Sequence, residues 1–256
     1  MAALQIHQFL CRQDNFGVLI HDDASGETAA IDAPDAAPIR AALAEKGWRL
    51  THIFTTHHHG DHTAGHAELK AETGCRILGP RKEAASIPGL DDAVAGGETF
   101  TFGGQSVEVL DTPGHTLGHV SYHLPQAGVV FVGDTLFSLG CGRLLEGDAE
   151  MMWDSLQKLM ALPRHTRIYC GHEYTNSNAA FALTIEPGNA ALKRRAKEVE
   201  DLRAKGELTL PVTLEAELAQ NPFLRPDSAE IQQRLGRVGQ PLATIFADIR
   251  HRKDGF

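Results

Sequence analysis

The sequence predicts an α/β fold built in two unlike parts. Before residue 174, short apolar or alternating segments recur, which is the pattern of strands. After residue 174 the composition favours helices. A strand-rich stretch followed by a helix-rich stretch indicates two structural parts, and 256 residues are enough for a larger and a smaller domain. We therefore predict one domain over residues 1–173 and a second over 174–256.

The strand-rich part carries the following predicted strands: 5–10, 16–21, 28–32, 50–54, 98–102, 106–110, 120–124, 129–132 and 167–170. Helices are predicted between them at 36–46, 62–73 and 151–161. In the second part, 189–205 is the clearest helix, and Gly206 is suited to stop it.

The most informative stretch is the run TTHHHGDH, which lies between a predicted strand and a predicted helix. Imidazole and carboxylate ligands without thiolate suit borderline divalent ions such as zinc, manganese or iron. In an extended loop alternate side chains share a side, so His57 and His59 converge while His58 points away. Asp61 and His62 diverge from that pair and are available to a second ion. The run predicts a metal site in which His58 is not a ligand.

Three further predicted strands end close to a side chain that can bind a metal. Strand 106–110 is followed by the segment DTPGH, which ends in His115, strand 129–132 by Asp134, and strand 167–170 by His172. Functional side chains on strand-built scaffolds commonly lie in such loops. Together with the earlier run, these side chains can hold two divalent ions if one carboxylate bridges them and solvent completes the coordination.

Composition disfavours several other classes of protein. The formal charge of −9 disfavours a nucleic-acid partner, because binding a phosphate backbone needs a concentrated cationic surface. The four cysteines lie far apart without a C-x-x-C pair, so buried free thiols are expected instead of a thiol zinc site or a disulfide framework. No signal pattern or membrane-spanning apolar stretch is present. We expect a soluble, cytoplasmic monomer without a membrane partner.

The pattern His57-x-His59-x-Asp61-His62, followed by His115, Asp134 and His172, resembles the signature of the metallo-β-lactamase superfamily. The resemblance implies a four-layer αββα sandwich with metals at one edge. Within the superfamily, the whole chain is most similar to glyoxalase II, the hydroxyacylglutathione hydrolases, which add a smaller helical C-terminal domain that covers part of the active site. The motifs behind this closer resemblance are CGRLLEG from Cys141, GHEYT from Gly171, NPFLR from Asn221 and R-x-x-K-D from Arg250.

The resemblance also implies a role for each ligand. One metal is assigned to His57, His59 and His115, the other to Asp61, His62 and His172, and Asp134 bridges them. Two zinc ions are expected, with iron or manganese as alternatives, because this ligand set accepts all three. Metal coordination lowers the pKa of water to about 7, so a metal-bridging hydroxide at Asp61 and Asp134 is the predicted nucleophile. The implied reaction converts S-D-lactoylglutathione to D-lactate and glutathione, the second step of methylglyoxal detoxification.

The same resemblance implies how the glutathione thioester is bound. Arg143 and Tyr174 contact the glutathione portion, and Arg250 with Lys253 bind its glycine carboxylate. The last two stand at i and i+3 of a predicted helix and so project to one side. Cations in a final helical turn are also favoured by the helix dipole alone, which is the alternative interpretation. Leu145 stands where the family commonly has an aromatic residue, so one contact to the peptide is expected to be missing.

Two other classes of function remain open from the sequence. The first is another enzyme on the same scaffold, such as a mononuclear iron persulfide dioxygenase, a lactonase or a β-lactamase. The second is a non-catalytic metal-binding or redox-partner module. The full ligand set, together with Arg250-x-x-Lys253, favours thioester hydrolysis. Oxygen uptake, thiol release and metal count separate these alternatives.

Overall fold

The structure, a computed structural model, describes residues 4–256, and these divide into two units. The first unit comprises the described residues up to Asp111 together with Gly118–Gly133. The second comprises Thr112–Leu117 and Asp134–Phe256. The boundary expected between residues 173 and 174 lies inside the second unit, and it stays a prediction.

The first unit begins with a six-stranded sheet in the order β1-β2-β3-β4-β5-β6. Its strands are β1 (Gln5–Leu10), β2 (Phe16–Asp22), β3 (Glu27–Ile31), β4 (His52–Phe54), β5 (Arg76–Pro80) and β6 (Asp92–Val94). The first three strands pair antiparallel, and β3 to β6 pair parallel. Parallel neighbours need a crossover, which α1 (Ala36–Lys46) provides between β3 and β4. Leu19, Ile39 and Ile53 lie in the core between this helix and the sheet.

Four antiparallel strands of the same unit pack on that sheet. They are β7 (Thr99–Phe102), β8 (Gln105–Asp111), β9 (Val120–Leu124) and β10 (Val129–Phe131). The ring of Phe54 on β4 lies 5.3 Å from that of Phe102 and 5.5 Å from that of Tyr122. The Tyr122 hydroxyl donates to the Thr55 carbonyl at 2.7 Å. These contacts fix the carboxyl end of β4, where the histidine-rich loop begins.

The second unit is mainly helical. Its elements are β11 (Leu136–Phe137), β12 (Gly140–Cys141), α4 (Ala149–Met160), β13 (Arg167–Tyr169), α5 (Thr175–Ile185), α6 (Ala190–Ala204), β14 (Val212–Thr213), α7 (Leu214–Gln220), α8 (Ala229–Leu235) and α9 (Leu242–Asp254). Helix α6 begins where expected because the Asn189 side chain accepts from the backbone N–H groups of Ala191 and Leu192. Phe223 packs its ring against those of Phe181 and Phe246. The predicted helical character after residue 174 is confirmed.

One predicted helix is wrong in its extent. The segment 62–73 is divided into α2 (Gly60–Thr63) and α3 (His66–Thr73). The break occurs at Gly65, whose N–H donates to the Ala33 carbonyl at 2.9 Å. A Cβ at this position would lie 2.9 Å from the Ala36 nitrogen, so a glycine is needed for this close approach. Local periodicity could not reveal a contact with a segment about 30 residues away.

The four cysteines are buried free thiols, as predicted. Within residues 4–256, no helix is both long enough and apolar enough to cross a bilayer.

Candidate metal centre

The loop after β4 brings together the first two predicted ligands. His57 Nε2 lies 3.1 Å from His59 Nδ1, so the expected convergence of these side chains is present. The other ring nitrogen, His57 Nδ1, is 3.0 Å from the hydroxyl of Thr56. Because Nδ1 of His57 faces Thr56, the nitrogen directed toward His59 is the one that would bind an ion.

His62 is oriented by a buried carboxylate. Its Nδ1 donates to Asp32 Oδ2 at 2.8 Å, which leaves Nε2 as the ligand atom. Asp32 also accepts from the N–H and the hydroxyl of Thr56 at 2.7 and 2.8 Å. Its φ of 56° lies in the left-handed region, an uncommon conformation for a residue with a Cβ. These three bonds hold Asp32 under the loop and fix the ring orientation of His62.

Asp61 and His62 lie close to each other. Asp61 Oδ2 is 3.7 Å from His62 Nε2, and Asn15 Nδ2 donates to the same carboxylate oxygen at 3.2 Å. The ring centroids of His57 and His62 are only 4.1 Å apart. The expected divergence from the first pair is therefore wrong for His62, whose ring lies against that of His57. For Asp61 it stays a prediction.

Three of the predicted ligands lie close together within the second unit. Asp134 Oδ2 lies 3.5 Å from His115 Nε2 and 3.3 Å from His172 Nε2, and all three side chains are buried. His115 Nδ1 donates to the Arg143 carbonyl at 2.8 Å, which again leaves Nε2 as the ligand atom. One carboxylate oxygen thus lies between two imidazole nitrogens, the arrangement expected of a carboxylate that bridges two ions.

The ring of His172 is held by two aromatic neighbours. Tyr174 stacks on it with centroids 4.7 Å apart and an interplanar angle of 5°. Phe137 presents its edge at 6.0 Å and also contacts the Tyr174 ring at 5.3 Å. Tyr174, which the family resemblance assigns to substrate binding, therefore also positions a predicted metal ligand.

Asp32 is a functional side chain that the sequence analysis missed. Its only signal was an aspartate at the end of a predicted strand, which is usually a turn residue. Hydrogen-bond acceptors behind a metal-binding imidazole fix its tautomer, and their removal typically lowers metal affinity about 10-fold to 100-fold. We expect Asp32→Ala to weaken metal binding by that factor, measured by competition with a chromophoric chelator. An affinity within about twofold of wild type would contradict this role.

His58 lies on the other side of the loop, against Glu83. Glu83 Oε2 accepts from the His58 N–H at 2.7 Å and lies 2.9 Å from His58 Nδ1, while Oε1 accepts from the Gly118 N–H at 2.8 Å. The pairing with Glu83 supports a structural role for the His58 imidazole.

We expect His58→Ala to leave the bound metal nearly unchanged, because the backbone N–H of residue 58 can still donate to Glu83. Elemental analysis of the purified variant measures this. A loss of one ion per chain would show that His58 is a ligand after all.

The predicted substrate-binding residues differ in their solvent exposure and in their hydrogen bonds within the chain. Arg143 is exposed, and Tyr174 is half-buried. The side chain of Arg250 is 4 % exposed; its Nε and Nη2 donate to Asp254 at 3.1 and 2.8 Å, and its Nη1 donates to the Cys141 carbonyl at 2.8 Å.

Lys253 is half-buried, and its Nζ donates to the Ser177 carbonyl at 3.3 Å. The same nitrogen lies 5.3 Å from the centre of the Phe181 ring and 5.2 Å from that of Phe256. Burial, with Arg250 as a second cause, lowers the pKa of Lys253. Both C-terminal cations are therefore engaged within the chain, and their binding of a carboxylate stays a prediction.

The donor chemistry fits divalent metal ions. Each of the seven predicted ligands offers an imidazole nitrogen or a carboxylate oxygen, and hydrogen-bond acceptors fix the ring orientations of His62 and His115. Nitrogen and oxygen donors without thiolate suit zinc, iron and manganese equally. The chain thus carries histidine and aspartate clusters suited to divalent ions.

Comparison with solved structures defines the class of protein. BLEG-1 B3 metallo-beta-lactamase has a TM-score of 0.67 at 21 % identity and covers 86 % of this chain and 100 % of its own, which shows the shared fold. ETHE1 from Myxococcus xanthus has the same TM-score at 27 % identity and covers 98 % of this chain and 100 % of its own. Residues 23–172 match the metallo-beta-lactamase superfamily. The fold and the ligand chemistry are those of a metallohydrolase of this superfamily.

Residues 173–256 match the hydroxyacylglutathione hydrolase C-terminus. A hydroxyacylglutathione hydrolase of Rhizobium meliloti (strain 1021) is 56 % identical over 256 residues, covering 100 % of both chains. One from Brucella anthropi is 58 % identical and covers 99 % of this chain and 97 % of its own. The chain belongs to the hydroxyacylglutathione hydrolase family. The predicted metallo-β-lactamase fold with a helical C-terminal domain is confirmed.

Proposed function

We propose that the chain hydrolyses S-(2-hydroxyacyl)glutathione thioesters and converts S-D-lactoylglutathione to D-lactate and glutathione. The observation that carries this conclusion is the identity of 56 % to 58 % with hydroxyacylglutathione hydrolases over at least 99 % of the chain. The match extends through the C-terminal region that distinguishes these enzymes from other members of the superfamily. A second function is not favoured by any single observation.

The metal arrangement forms part of the same proposal. Two divalent ions, zinc in the first instance, are assigned to the following ligands: His57, His59 and His115 for one, Asp61, His62 and His172 for the other, with Asp134 bridging. The position of Asp134 supports the assignment, because its carboxylate oxygen lies within 3.5 Å of one imidazole nitrogen of each of two histidines that are assigned to different ions. Iron or manganese would satisfy the same donors.

None of the four cysteines, all of which lie within residues 4–256, is an activated thiol. Burial raises the pKa of Cys141 to about 11 and also raises that of Cys170, so these thiols stay protonated at neutral pH. When bound, divalent ions lower the pKa of water to about 7 and polarise a carbonyl oxygen, which is the chemistry that thioester hydrolysis requires. The protein residues then have to bind the substrate and orient the ligands.

Several side chains perform this orientation. Asp32 fixes the tautomer of His62, and the Arg143 carbonyl fixes that of His115. The exposed Arg143 guanidinium is available to the glutathione portion of the substrate, so one residue connects substrate binding with ligand orientation. Tyr174 stacks on His172 and is assigned a contact to the same portion. Arg250 and Lys253 are assigned to the glycine carboxylate of glutathione. The protein is further proposed to be a cytoplasmic monomer.

The decisive experiment measures free thiol released from S-D-lactoylglutathione by the purified protein loaded with zinc, iron or manganese. Thiol release that depends on added metal is the expected result. A lactone, a β-lactam and a glutathione persulfide serve as alternative substrates. An oxygen electrode follows turnover of the persulfide. Absence of thiol release, combined with turnover of one alternative, would replace the proposed function with that activity.

A further inference from the structure

A strained and buried hairpin lies between Asp134 and Arg143. It consists of β11, β12 and the two residues that connect them, and it is named here the 136–141 hairpin. Leu139 at its tip has a φ of 59°, although leucine strongly disfavours the left-handed region. At Gly140, a Cβ would lie 2.5 Å from Asn178 Nδ2. Such conformations persist only where the surroundings determine them strongly.

Polar side chains from the helical region hold this hairpin. Glu217 on α7 is fully buried and accepts from the Ser138 hydroxyl at 2.8 Å and the Leu139 N–H at 2.9 Å. Asn221, which opens the NPFLR motif, donates from Nδ2 to the Phe137 and Gly140 carbonyls at 3.2 and 3.0 Å.

The same Asn221 amide also donates to Glu217 Oε2 at 2.9 Å, and Asn178 Nδ2 donates to the Ser138 carbonyl at 3.1 Å. These three side chains, Asn178, Glu217 and Asn221, are named the hairpin clamp. They supply hydrogen-bond partners to backbone groups of the hairpin, and leaving such a buried group unpaired typically costs about 1 to 3 kcal/mol.

The hairpin contacts one predicted ligand, and the residues that flank it include a second and contact a third. Phe137 on β11 presents its ring edge to His172. Arg143 lies two residues beyond β12, and its carbonyl accepts a hydrogen bond from His115 Nδ1. Asp134, whose carboxylate lies between these two imidazoles, is two residues before β11. A displacement of the hairpin would therefore reach His115, Asp134 and His172 together.

We propose that Glu217 and Asn221 are positioning residues of the metal centre, which act by holding the 136–141 hairpin in the conformation that orients His172 and His115. The inference rests on the proposed function only in taking His115, Asp134 and His172 as ligands. It also gives a role to the NPFLR motif. The hydrogen bonds described above for Asn221, the first residue of this motif, go neither to a predicted metal ligand nor to a predicted substrate-binding residue.

Two substitutions test the inference: the isosteric Glu217→Gln and the truncation Glu217→Ala. A glutamine can keep the network, because its carbonyl still accepts from Leu139 and Asn221 while its amide donates to the Ser138 oxygen. Alanine removes every acceptor. Removal of a group that orients a metal ligand typically weakens metal binding about 10-fold to 100-fold. We expect Glu217→Ala to raise the zinc dissociation constant by this factor. The dissociation constant of Glu217→Gln should stay within about threefold of the wild-type value. Competition with a chromophoric chelator measures this without any substrate.

A matched control separates positioning from a general loss of stability. Arg225 donates to Glu186 from Nε and Nη2, each at 2.9 Å, and to the Leu218 carbonyl at 3.1 Å, in the same unit but not to the hairpin. We expect Arg225→Ala to lower the Tm as Glu217→Ala does, while the zinc dissociation constant stays unchanged. Equal losses of zinc affinity in both variants, or none in Glu217→Ala, would overturn the proposal.

Phe137→Leu provides a second test if Glu217→Ala does not fold. It removes the ring edge from His172 and leaves the clamp intact, so zinc affinity should fall about tenfold. Unchanged affinity in this variant would also overturn the proposal. Failure of wild type to hydrolyse S-D-lactoylglutathione would refute the proposed function alone, because the zinc titrations do not depend on that substrate.

Discussion

Asp134→Ala is expected to lower thioester hydrolysis strongly and to release metal from both sites. The Asp134 carboxylate oxygen lies 3.5 Å from His115 Nε2 and 3.3 Å from His172 Nε2, so its removal takes one ligand from each proposed ion. Metal ions contribute several kcal/mol to such reactions, and a loss of about 4 kcal/mol corresponds to a fall on the order of 10³-fold in kcat/KM. Elemental analysis and steady-state kinetics measure the two effects.

Two comparison variants sharpen this prediction. His57→Ala should chiefly weaken one ion, since His57 is assigned to a single site. Asp148→Ala removes another aspartate of the same unit, one that caps α4 by accepting from the Met151 N–H, and should cost about 1 kcal/mol of stability without changing metal content. Retention of two tightly bound ions by both the Asp134 and the His57 variants would refute the ligand assignment.

Arg250→Ala is expected to lower stability and catalytic efficiency together. Its guanidinium donates to Asp254 and to the Cys141 carbonyl, and the side chain is 4 % exposed. Removing a buried charged donor leaves its acceptors unpaired, which typically costs about 3 kcal/mol, less here because the Asp254 side chain is 44 % exposed. A fall in Tm and in the free energy of unfolding in urea measures this effect.

Kinetics shows whether Arg250 also binds the glycine carboxylate. A contact to a group remote from the reaction contributes to uniform binding, so its loss raises KM more than it lowers kcat. A charge-assisted bond of about 1.5 to 3 kcal/mol corresponds to a fall of about 10-fold to 150-fold in kcat/KM. The loss should disappear with a truncated thioester that lacks this carboxylate.

Lys253→Ala separates the effect on KM from the loss of stability. Lys253 makes only one hydrogen bond among those described, to the Ser177 carbonyl, so its removal should leave the fold largely intact while producing the same KM effect. If KM for the glutathione thioester stays within about twofold in both variants, the two cations serve the C-terminal helix and not the substrate.

The sequence alone determined the chemistry of the site and the order of its parts. Imidazoles and carboxylates at strand ends are local features, since strand periodicity and ligand type are both read from neighbouring residues. Helix α1 follows from its capping Asp35 and the Gly47 that ends it. Asp61 and His62 were predicted as ligands, but the expected divergence of His62 from His57 was wrong.

Only the tertiary structure decided which residues hold those ligands in place. Asp32 reaches His62 across 30 positions, and Glu217 reaches Leu139 across 78. Arg250 was placed on the correct helix, but its partner at Cys141 lies 109 positions away. Hydrogen bonds of this kind depend on distances and angles that arise when separate elements pack, and residue type and spacing along a single segment carry no information about them.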